Sequence, residues 1–322
     1  MTITAAATHH DRLRRRTELP LIAVVYALYS GVRLLVGGNA GDAMRHGADI
    51  LRYEQLVHLD PEHWFNRLLT KHAFLGVPAD FAYASLHYLV TPAILVWLWW
   101  RHPTHYRTAR TWLLISTLIG LVGFTLLPTA PPRLLPGGYA FVDTMAQYGS
   151  YGWWGAAASA PRGMGSLTNQ YAAMPSLHVG WALWCGLMLV RFGRRRPVRV
   201  LGVIYPVVTL LVVLGTANHY LMDTVAGVLV MGIGRALAQP VLRVADVLSA
   251  RRRADRRERI SRTRRRGLPR FWCLARTIHR PAGRLGPSGP AEQRGHDRGQ
   301  VEGGAAPKGA TRRRCPSRSA AG

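Results

Sequence analysis

Runs of apolar residues constrain this chain of 322 residues more than any other feature of its sequence. A helix needs about 20 predominantly apolar residues to cross the hydrocarbon core of a bilayer, because each residue adds only about 1.5 Å. Six segments reach or approach this length: 20–38, 79–100, 110–128, 174–191, 199–217 and 219–239. They predict an all-α, polytopic membrane protein with a six-helix transmembrane bundle at residues 20–240.

Lys and Arg are concentrated in the loops on one side of this predicted bundle, and such loops face the cytoplasm. Four Arg lie in the arm 1–19, three in the loop 101–110 and five in the loop 191–199. The segment 129–173 holds two Arg, and the turn 217–219 holds none. We therefore predict a multi-pass protein of the cell membrane with both termini in the cytoplasm and the segment 129–173 outside.

Two further segments flank the predicted spans. Segment 39–78 places apolar residues at helical spacing between charges, which predicts two amphipathic helices at the outer interface. Residues 251–322 hold 21 of the 42 Lys and Arg but 5 of the 16 acids, and few aliphatic residues. Such a segment buries too little apolar surface to offset its ordering entropy, so we predict a disordered tail without assigned function. We expect no nucleic-acid partner despite the net charge of +26, because no nucleic-acid-binding module is present.

Polar clusters lie at the outer ends of the fourth and sixth predicted spans. The first is the segment 174–178 (MPSLH), and the second is the segment 218–223 (NHYLMD). Ionisable residues are costly to place within a membrane and are therefore functional candidates by default. Both clusters face the same side in the predicted topology, so we expect them to form one site.

The spacing of residues within these clusters indicates nucleophilic chemistry. His219 and Asp223 are four residues apart at a helix start, so the carboxylate can accept a hydrogen bond from one ring nitrogen. The other nitrogen then presents a lone pair, while the acid stabilises the imidazolium that forms during attack. His178, near the start of its own helix, can give a proton to a leaving alkoxide. These three residues are the predicted catalytic set, and a histidine bonded purely for structure is the alternative for His219.

Anion binding is predicted beside this set. Ser176 lies among free backbone N–H groups at the positive end of a helix dipole, which favours a bound phosphate. Arg133 follows the stiff segment 128–132 (PTAPP) and offers two parallel donors. With Asn218, these residues form the predicted phosphate-binding set. The alternatives are a helix cap for Ser176 and an interfacial anchor for Arg133.

Four other residues are candidates for substrate contact. Asn169, Gln170 and Tyr171 directly precede the first cluster and can contact a headgroup, although a polar loop needs no such role. His87 lies within the second predicted span, where a polar side chain either lines a pocket or bonds a neighbouring helix. The spacing of His, Cys and acidic residues indicates no metal site, and we predict no metal and no other cofactor.

The motifs PTAPPR, PSLH and NHYLMD resemble those of the membrane branch of the type 2 phosphatidic acid phosphatase superfamily, whose pattern is KxxxxxxRP, PSGH and SRxxxxxHxxxD. The resemblance covers residues 20–240 and implies six transmembrane helices with an active site at the extracytoplasmic face. It also implies that His219 accepts the phosphate, with Asp223 as its partner and His178 as the general acid. Ser176 and Arg133 match phosphate ligands of that pattern.

The chain departs from the superfamily pattern in ways that bear on the substrate. Leu126 and Val213 stand where the lysine of the first motif and the arginine of the third would fall. Leu177 replaces the glycine of the second motif, and Asn218 precedes the nucleophile. The loss of two charge-assisted contacts disfavours a doubly charged phosphomonoester and suits a phosphodiester better. With LTNQYAAMPSLH and TANHYLMD, these departures look like the inositol phosphorylceramide synthase-like subgroup, whose members transfer inositol phosphate between lipids.

Two hypotheses of function follow. The first is a lipid phosphatase or phosphotransferase that acts through a phosphohistidine on a lipid phosphate taken from the bilayer. The second is a non-catalytic membrane protein that binds or transports a lipid headgroup or phosphate, which the two missing cations keep open. The donor, the acceptor, the choice between hydrolase and transferase and the oligomeric state all remain open at this point.

Overall fold

Helices make up the regular structure of the computed structural model, which describes residues 31, 39–154 and 170–266. By its internal contacts, the chain divides into a unit of residues 1–258 and a unit of residues 259–322. The helices with described bounds are α1 (Ala40–Leu56), α2 (Glu62–Lys71), α3 (Ala73–Arg101), α4 (Pro103–Leu126), α5 (Thr144–Gln147), α6 (Leu177–Phe192), α7 (Arg196–Gly215) and α8 (Leu221–Arg266). Single turns of 3-10 helix occur at Pro132–Leu134, Gly137–Tyr139 and Gly149–Tyr151.

Four of these helices are long and apolar enough to cross a membrane: α3, α4, α7 and α8. They coincide with the second, third, fifth and sixth predicted spans, so the all-helical class with membrane-spanning segments is confirmed. The first predicted span, 20–38, lies outside the described residues except for Gly31. The fourth corresponds to α6, whose 16 residues extend about 24 Å and fall short of a full span. The predicted count of six spans is therefore not confirmed.

Helix α6 is short because of the residues at its two ends. Ser176 acts as its N-cap, so the helix begins at Leu177 and not at the predicted residue 174. It ends at Phe192, since Gly193 takes an extended conformation there. Pro175 consequently precedes the cap.

The segment 39–78 forms α1 and α2, and the prediction of two helices in it is correct. Asn39 caps α1 through its side-chain oxygen, which accepts a hydrogen bond from the N–H of Gly41 at 3.1 Å. Helix α3 begins at Ala73, six residues before the predicted start of its span, because the extended His72 alone separates it from α2. The location of α1 and α2 at the outer membrane interface stays a prediction.

Helix α6 packs at the centre of the largest apolar core, which also draws on α3, α4 and α8. The buried members are Ile94 and Leu98 of α3, Tyr106, Ala109, Trp112 and Leu113 of α4, Trp184, Cys185 and Met188 of α6, and Met231 and Ala238 of α8. Against α7, α6 approaches through small residues: a Cβ on Gly186 would lie 2.3 Å from the carbonyl oxygen of Gly202. Such close approach of backbones is usual between membrane helices.

Helix α8 continues to Arg266 and so includes the first sixteen residues of the predicted disordered tail. The prediction of disorder is therefore wrong for residues 251–266. Arg and Ala are good helix formers, and neither Gly nor Pro interrupts the chain between 241 and 266. The rest of the predicted tail and the basic arm 1–19 lie outside the described residues.

Candidate active site

The turn that carries His219 connects α7 to α8. Within it, Ala217 has a left-handed backbone conformation with φ of 53°, which costs an L-residue roughly 1–2 kcal/mol. The carbonyl of Val213 accepts hydrogen bonds from the N–H groups of both Asn218 and His219, at 3.1 and 3.2 Å. The turn therefore holds the backbone of His219 in one place, with only 3% of the residue exposed.

Acceptors surround one nitrogen of the His219 ring. Nδ1 lies 2.9 Å from the carbonyl oxygen of Ala173 and 3.4 Å from Oδ2 of Asp223. A carbonyl oxygen only accepts, so we assign the proton to Nδ1, which leaves the lone pair of the neutral ring on Nε2. The same Oδ2 of Asp223 accepts a shorter hydrogen bond, 2.9 Å, from the N–H of Tyr220. Ala173 thus orients the ring more directly than the predicted partner Asp223, whose charge lies close to it.

His178 is the second residue of α6 and lies next to His219. Its Nδ1 is 3.4 Å from Nε2 of His219, and the two residues are 41 positions apart in the chain. Because Nε2 of His219 is the acceptor in the assigned tautomer, Nδ1 of His178 is the donor. The structure therefore brings together the two histidines that the motif spacing predicts to meet.

Two side chains of α3 enclose another side of His178. The ring of Tyr83 stacks on His178 with 4.6 Å between centroids, and the ring of His87 meets it edge-on at 4.4 Å. His87 thus lies beside the histidine pair, while its contact with a substrate stays a prediction. Tyr83 was not among the predicted residues, although its spacing of four from His87 puts both on one helix face. The face of its ring favours a positively charged imidazole.

Ser176 caps α6 and anchors it to α8. Its Oγ accepts a hydrogen bond from the N–H of Val179 at 3.5 Å, and its own N–H donates to the carbonyl of Asp223 at 2.8 Å. A Cβ on Gly227 would lie 2.3 Å from the carbonyl oxygen of Ser176, so the two backbones are in direct contact. This geometry supports the helix-cap interpretation of Ser176, and its contact with phosphate stays a prediction.

Arg133 lies beside the turn that carries His219, and the protein itself engages its donors. Nε donates to Oδ1 of Asn218 and Nη1 to Oδ2 of Asp143, both at 2.9 Å. Asn218 also donates from Nδ2 to the carbonyl and the hydroxyl of Thr216, at 3.2 and 2.9 Å. Both ends of the Asn218 amide are therefore used within the protein. The geometry of Asn218 supports a positioning role, and its contact with phosphate stays a prediction.

Leu126 and Val213 stand at the two positions where the superfamily pattern has a cation, and neither brings a charge to the site. Leu126 is the last residue of α4 and is 76% exposed. Val213 is 1% exposed and packs in an apolar cluster with Val179 and Leu214. The positive charge described next to the histidine pair thus belongs to Arg133, with Asp143 as its counter-ion.

The chain before the α6 cap runs beside the loop that follows α4. The N–H of Thr129 donates to the carbonyl of Tyr171 at 2.8 Å, and the N–H of Ala173 donates to the carbonyl of Thr129 at 3.2 Å. This pairing brings Gln170 and Tyr171 to the rim of the site, where both are partly exposed. Their contact with a headgroup stays a prediction, and Asn169 lies outside the described residues.

Helix α1 supports the same loop from its other side. The Nδ1 atom of His46 lies 2.8 Å from the carbonyl oxygen of Pro128, and the N–H of Ala130 donates to the carbonyl of Ala43 at 2.9 Å. The hydroxyl of Tyr220 donates to the carbonyl of Ala130 at 3.0 Å. The segment after α4 is therefore held between α1 and the start of α8.

Two glutamates that the sequence did not single out cap the first turn of α8. The N–H of Leu221 donates to Oε1 of Glu62 at 2.6 Å, and the N–H of Met222 donates to Oε1 of Glu54 at 2.5 Å. Both carboxyl groups are almost completely buried. Burial, followed by the charge of Glu62, raises the pKa of Glu54 to about 9, and burial also raises the pKa of Glu62. Acids between the apolar residues of an amphipathic helix are ordinarily solvated, so nothing in the local pattern marked these two.

A narrow pocket, partly open to its surroundings, lies between α3, α6 and α7. Apolar side chains of α3 and α7 line it, among them Leu86 and Val212, together with Tyr83, His87 and His178. Along α7 the lining runs from Val213 to Tyr205, which corresponds to about 12 Å of helix. The pocket therefore connects His178 with the apolar depth of the bundle.

The fold and the site together define a helical protein with membrane-spanning segments, a pair of neighbouring histidines and an arginine beside the turn that carries one of them. Residues 48–237, more than half of the chain, match the PAP2 superfamily, and the chain belongs to that superfamily. Its members are phosphatases and phosphoesterases, which supports the general kind of reaction that the motifs predict. The inositol phosphorylceramide synthase-like subgroup is not confirmed by this match. No curated protein and no solved structure matches the chain.

Proposed function

We propose that the protein is a membrane-embedded enzyme that transfers or hydrolyses a lipid phosphate through a phosphohistidine on His219. The observation that supports this best is the oriented histidine pair. Nδ1 of His219 is held by the carbonyl of Ala173, and Nε2 lies 3.4 Å from Nδ1 of His178. A nucleophile with a fixed tautomer and a neighbouring proton donor is what a two-step group transfer requires.

In the first step, the lone pair on Nε2 of His219 forms a bond to phosphorus, and the bond from phosphorus to the oxygen of the leaving alcohol breaks. His178 gives its proton to that oxygen, so the alcohol leaves as a neutral molecule. The positive charge that develops on His219 lies 3.4 Å from Oδ2 of Asp223, which stabilises it. In the second step, water or a second alcohol loses a proton to His178 and attacks phosphorus, and the bond to His219 breaks.

The distance between the two rings implies a movement on substrate binding. A nucleophile and its target are about 3–3.5 Å apart just before reaction, and the histidine nitrogens already lie at 3.4 Å with nothing between them. The phosphoryl group has to enter between them. We therefore expect His178 to turn away from His219 towards the pocket that Tyr83 and His87 line.

The charges around the site bear on the kind of phosphate. Arg133 supplies positive charge beside His219, and Asp143 neutralises part of it. Positions 126 and 213 carry Leu and Val in place of cations. We infer that a phosphodiester with one negative charge suits the site better than a doubly charged monoester. Transfer of inositol phosphate between lipids is one reaction of this kind.

The pocket beside His178 supports a lipid substrate. Its walls are mainly apolar, and α3 and α7, which form much of it, are long and apolar enough to span a membrane. A lipid that enters from the bilayer would approach His178 along these apolar walls. The extracytoplasmic location of the site belongs to the same proposal, and the distribution of Lys and Arg in the loops supports it.

Proteoliposomes containing the purified protein and a labelled lipid provide the test. Phosphatidic acid, phosphatidylinositol and a prenyl pyrophosphate cover the substrate classes. We expect His219→Ala to abolish turnover and Asp223→Asn to reduce it strongly, while His105→Ala, an exposed histidine at the other end of α4, keeps it. Hydrolysis and transfer at the wild-type rate in both site variants would show that the phosphohistidine mechanism is wrong.

A binding or transport protein is the second candidate function. The engaged donors of Arg133 and the missing cations at positions 126 and 213 favour it. A binding or transport protein would bind a lipid phosphate saturably but form no product. It would also carry no acid-labile phosphate label on His219. The same proteoliposomes therefore distinguish the two functions.

A further inference from the structure

The start of α8 has an unusual source of hydrogen-bond acceptors. The N–H groups of residues 220–222 have no backbone acceptor within the helix, as is general for a helix start. Each donates to a carboxyl group: that of Asp223 in the same helix, that of Glu62 in α2 and that of Glu54 in α1. Two of the three caps on the helix that follows His219 therefore come from other helices.

Ionising all three carboxyl groups at once would be energetically unfavourable. Three negative charges would surround one helix N-terminus, whose dipole offers the equivalent of about half an elementary charge. Water is excluded, since Glu54 is 1% and Glu62 is 0% exposed. The other titratable groups that face the pair are Asp223 in α8, Asp60 in the turn before α2, and Tyr220, whose phenol carries no positive charge. Like charges this close in a buried site favour retention of a proton.

The geometry provides a place for that proton. The carboxyl groups of Glu54 and Glu62 accept from the N–H groups of two consecutive residues, Met222 and Leu221, so they lie side by side at the start of α8. Each uses Oε1 to accept from α8, and each has a buried Oε2 without a hydrogen-bond partner among the described residues. A proton shared between the two carboxyl groups satisfies the remaining oxygens and leaves both caps in place.

We propose that Glu54 and Glu62 form a proton-sharing pair that positions His219, so that the site is aligned while the pair holds its proton and loses alignment when the proton leaves. The proposal rests on the proposed role of His219 as nucleophile. The two glutamates do not touch the reacting atoms. They act as positioning residues through the backbone of Leu221 and Met222, directly after the turn that carries His219.

The direction of the pH dependence follows from the raised pKa of Glu54. This acid stays protonated in the folded protein while the unfolded chain ionises, so its contribution to stability is complete below pH 4.5 and is lost as the pH rises towards about 9. In the folded protein the shared proton leaves near pH 9. The second negative charge then repels its neighbours and releases one cap from α8.

The pH profile of turnover in the wild type, Glu54→Gln and Glu54→Ala tests the proposal. Gln keeps an oxygen for the N–H of Met222 and gives Glu62 a permanent N–H donor, so it imitates the protonated pair. We expect wild-type kcat to fall about tenfold per pH unit above pH 9, and Glu54→Gln to be active near neutrality without that decline. Glu54→Ala should lower kcat more than tenfold with little change in KM.

Asp49→Asn, which changes an exposed acid on the same helix, is the matched control and should keep the wild-type profile. An alkaline decline in Glu54→Gln equal to that of the wild type overturns the proposal. So does a Glu54→Ala variant with wild-type kcat. Should Glu54→Ala fail to fold, the comparison between wild type and Glu54→Gln still decides.

An infrared measurement separates this proposal from the proposed function, because it needs no turnover. The wild type near neutral pH should show a carbonyl band of a buried protonated carboxylic acid that is lost in Glu54→Gln and in Glu62→Gln, so the difference spectrum between wild type and variant reports the pair. If the band behaves so while no lipid phosphate is turned over, the proposed function fails and the proton-sharing pair stands. If these variants leave the band unchanged, the pair is wrong whatever the activity.

Discussion

The two helices that carry the histidines begin in different ways. Helix α6, with His178, is capped by its own Ser176 through a hydrogen bond of 3.5 Å. Helix α8, which follows His219, is capped by Glu54 and Glu62 through hydrogen bonds of 2.5 and 2.6 Å. The side-chain cap of α6 is therefore a residue next to that helix in the chain. The caps that α8 receives from Glu54 and Glu62 come from helices far away in sequence.

The largest effect that we expect from a change at either helix start is a fall in the rate of the chemical step. Replacing His178 with Gln removes the proposed proton donor, and general acid catalysis contributes about 10²–10⁴-fold. We expect kcat to fall by that factor with a lipid alcohol as leaving group. With a nitrophenyl ester of the same phosphate the loss should be far smaller, because nitrophenolate leaves without a proton. Equal losses with both substrates would mean that His178 serves only to begin α6.

Gly227 joins the two helix starts, and its substitution should have the next largest effect. A Cβ there would lie 2.3 Å from the carbonyl oxygen of Ser176, and such overpacking costs about 1–3 kcal/mol. Gly227→Ala should lower the melting temperature in detergent and reduce turnover. Gly232→Ala, on the same helix with nothing within 4 Å, is the control. If both variants melt alike, the two helix starts are not in contact as described.

The cap of α6 should contribute less. An N-cap serine contributes about 0.5–2 kcal/mol, and the 3.5 Å hydrogen bond to Val179 places Ser176 at the low end of that range. We expect Ser176→Ala to lose about 0.5 kcal/mol of stability by the same melting measurement, with unchanged KM. A clear rise in KM would instead assign the hydroxyl to phosphate binding, as the sequence predicts.

The smallest effect should come from the turn before His219. Gly at position 217 relieves the left-handed strain of Ala217 but adds entropy to the unfolded chain, and the two effects are each about 1 kcal/mol and opposite. We expect Ala217→Gly to change stability by less than about 0.5 kcal/mol. Ala254→Gly, at an exposed helical position of α8, should cost about 1 kcal/mol. A similar cost at both positions would contradict the strained turn.

The contrast between the two helix starts also separates what the sequence could predict from what it could not. Apolar runs follow a local rule of length and composition, so α3, α4, α7 and α8 were predictable. The meeting of His178 and His219 was predictable as well, since both lie at the start of helices that the charge pattern points to one side. The short length of α6 was not, because an apolar run does not show where its cap lies.

The other features that the sequence could not predict are contacts between segments far apart in the chain. Glu54 and Glu62 look like solvated acids on amphipathic helices, and their burial depends on the tertiary contact with α8. The carbonyl of Ala173 orients His219, yet a backbone oxygen leaves no trace in side-chain motifs. The amide of Asn218 is hydrogen-bonded to Arg133 and Thr216, and no spacing rule indicates these partners.

The long-range caps of α8 have a consequence for how the protein is made. Glu54 and Glu62 bind N–H groups that follow them by 168 and 159 residues. The ribosome therefore releases both acids long before their partners exist, and burying them alone would be costly. Until α8 is inserted, the first helices have no reason to close over the site. A chain that lacks α8 therefore carries no assembled histidine pair.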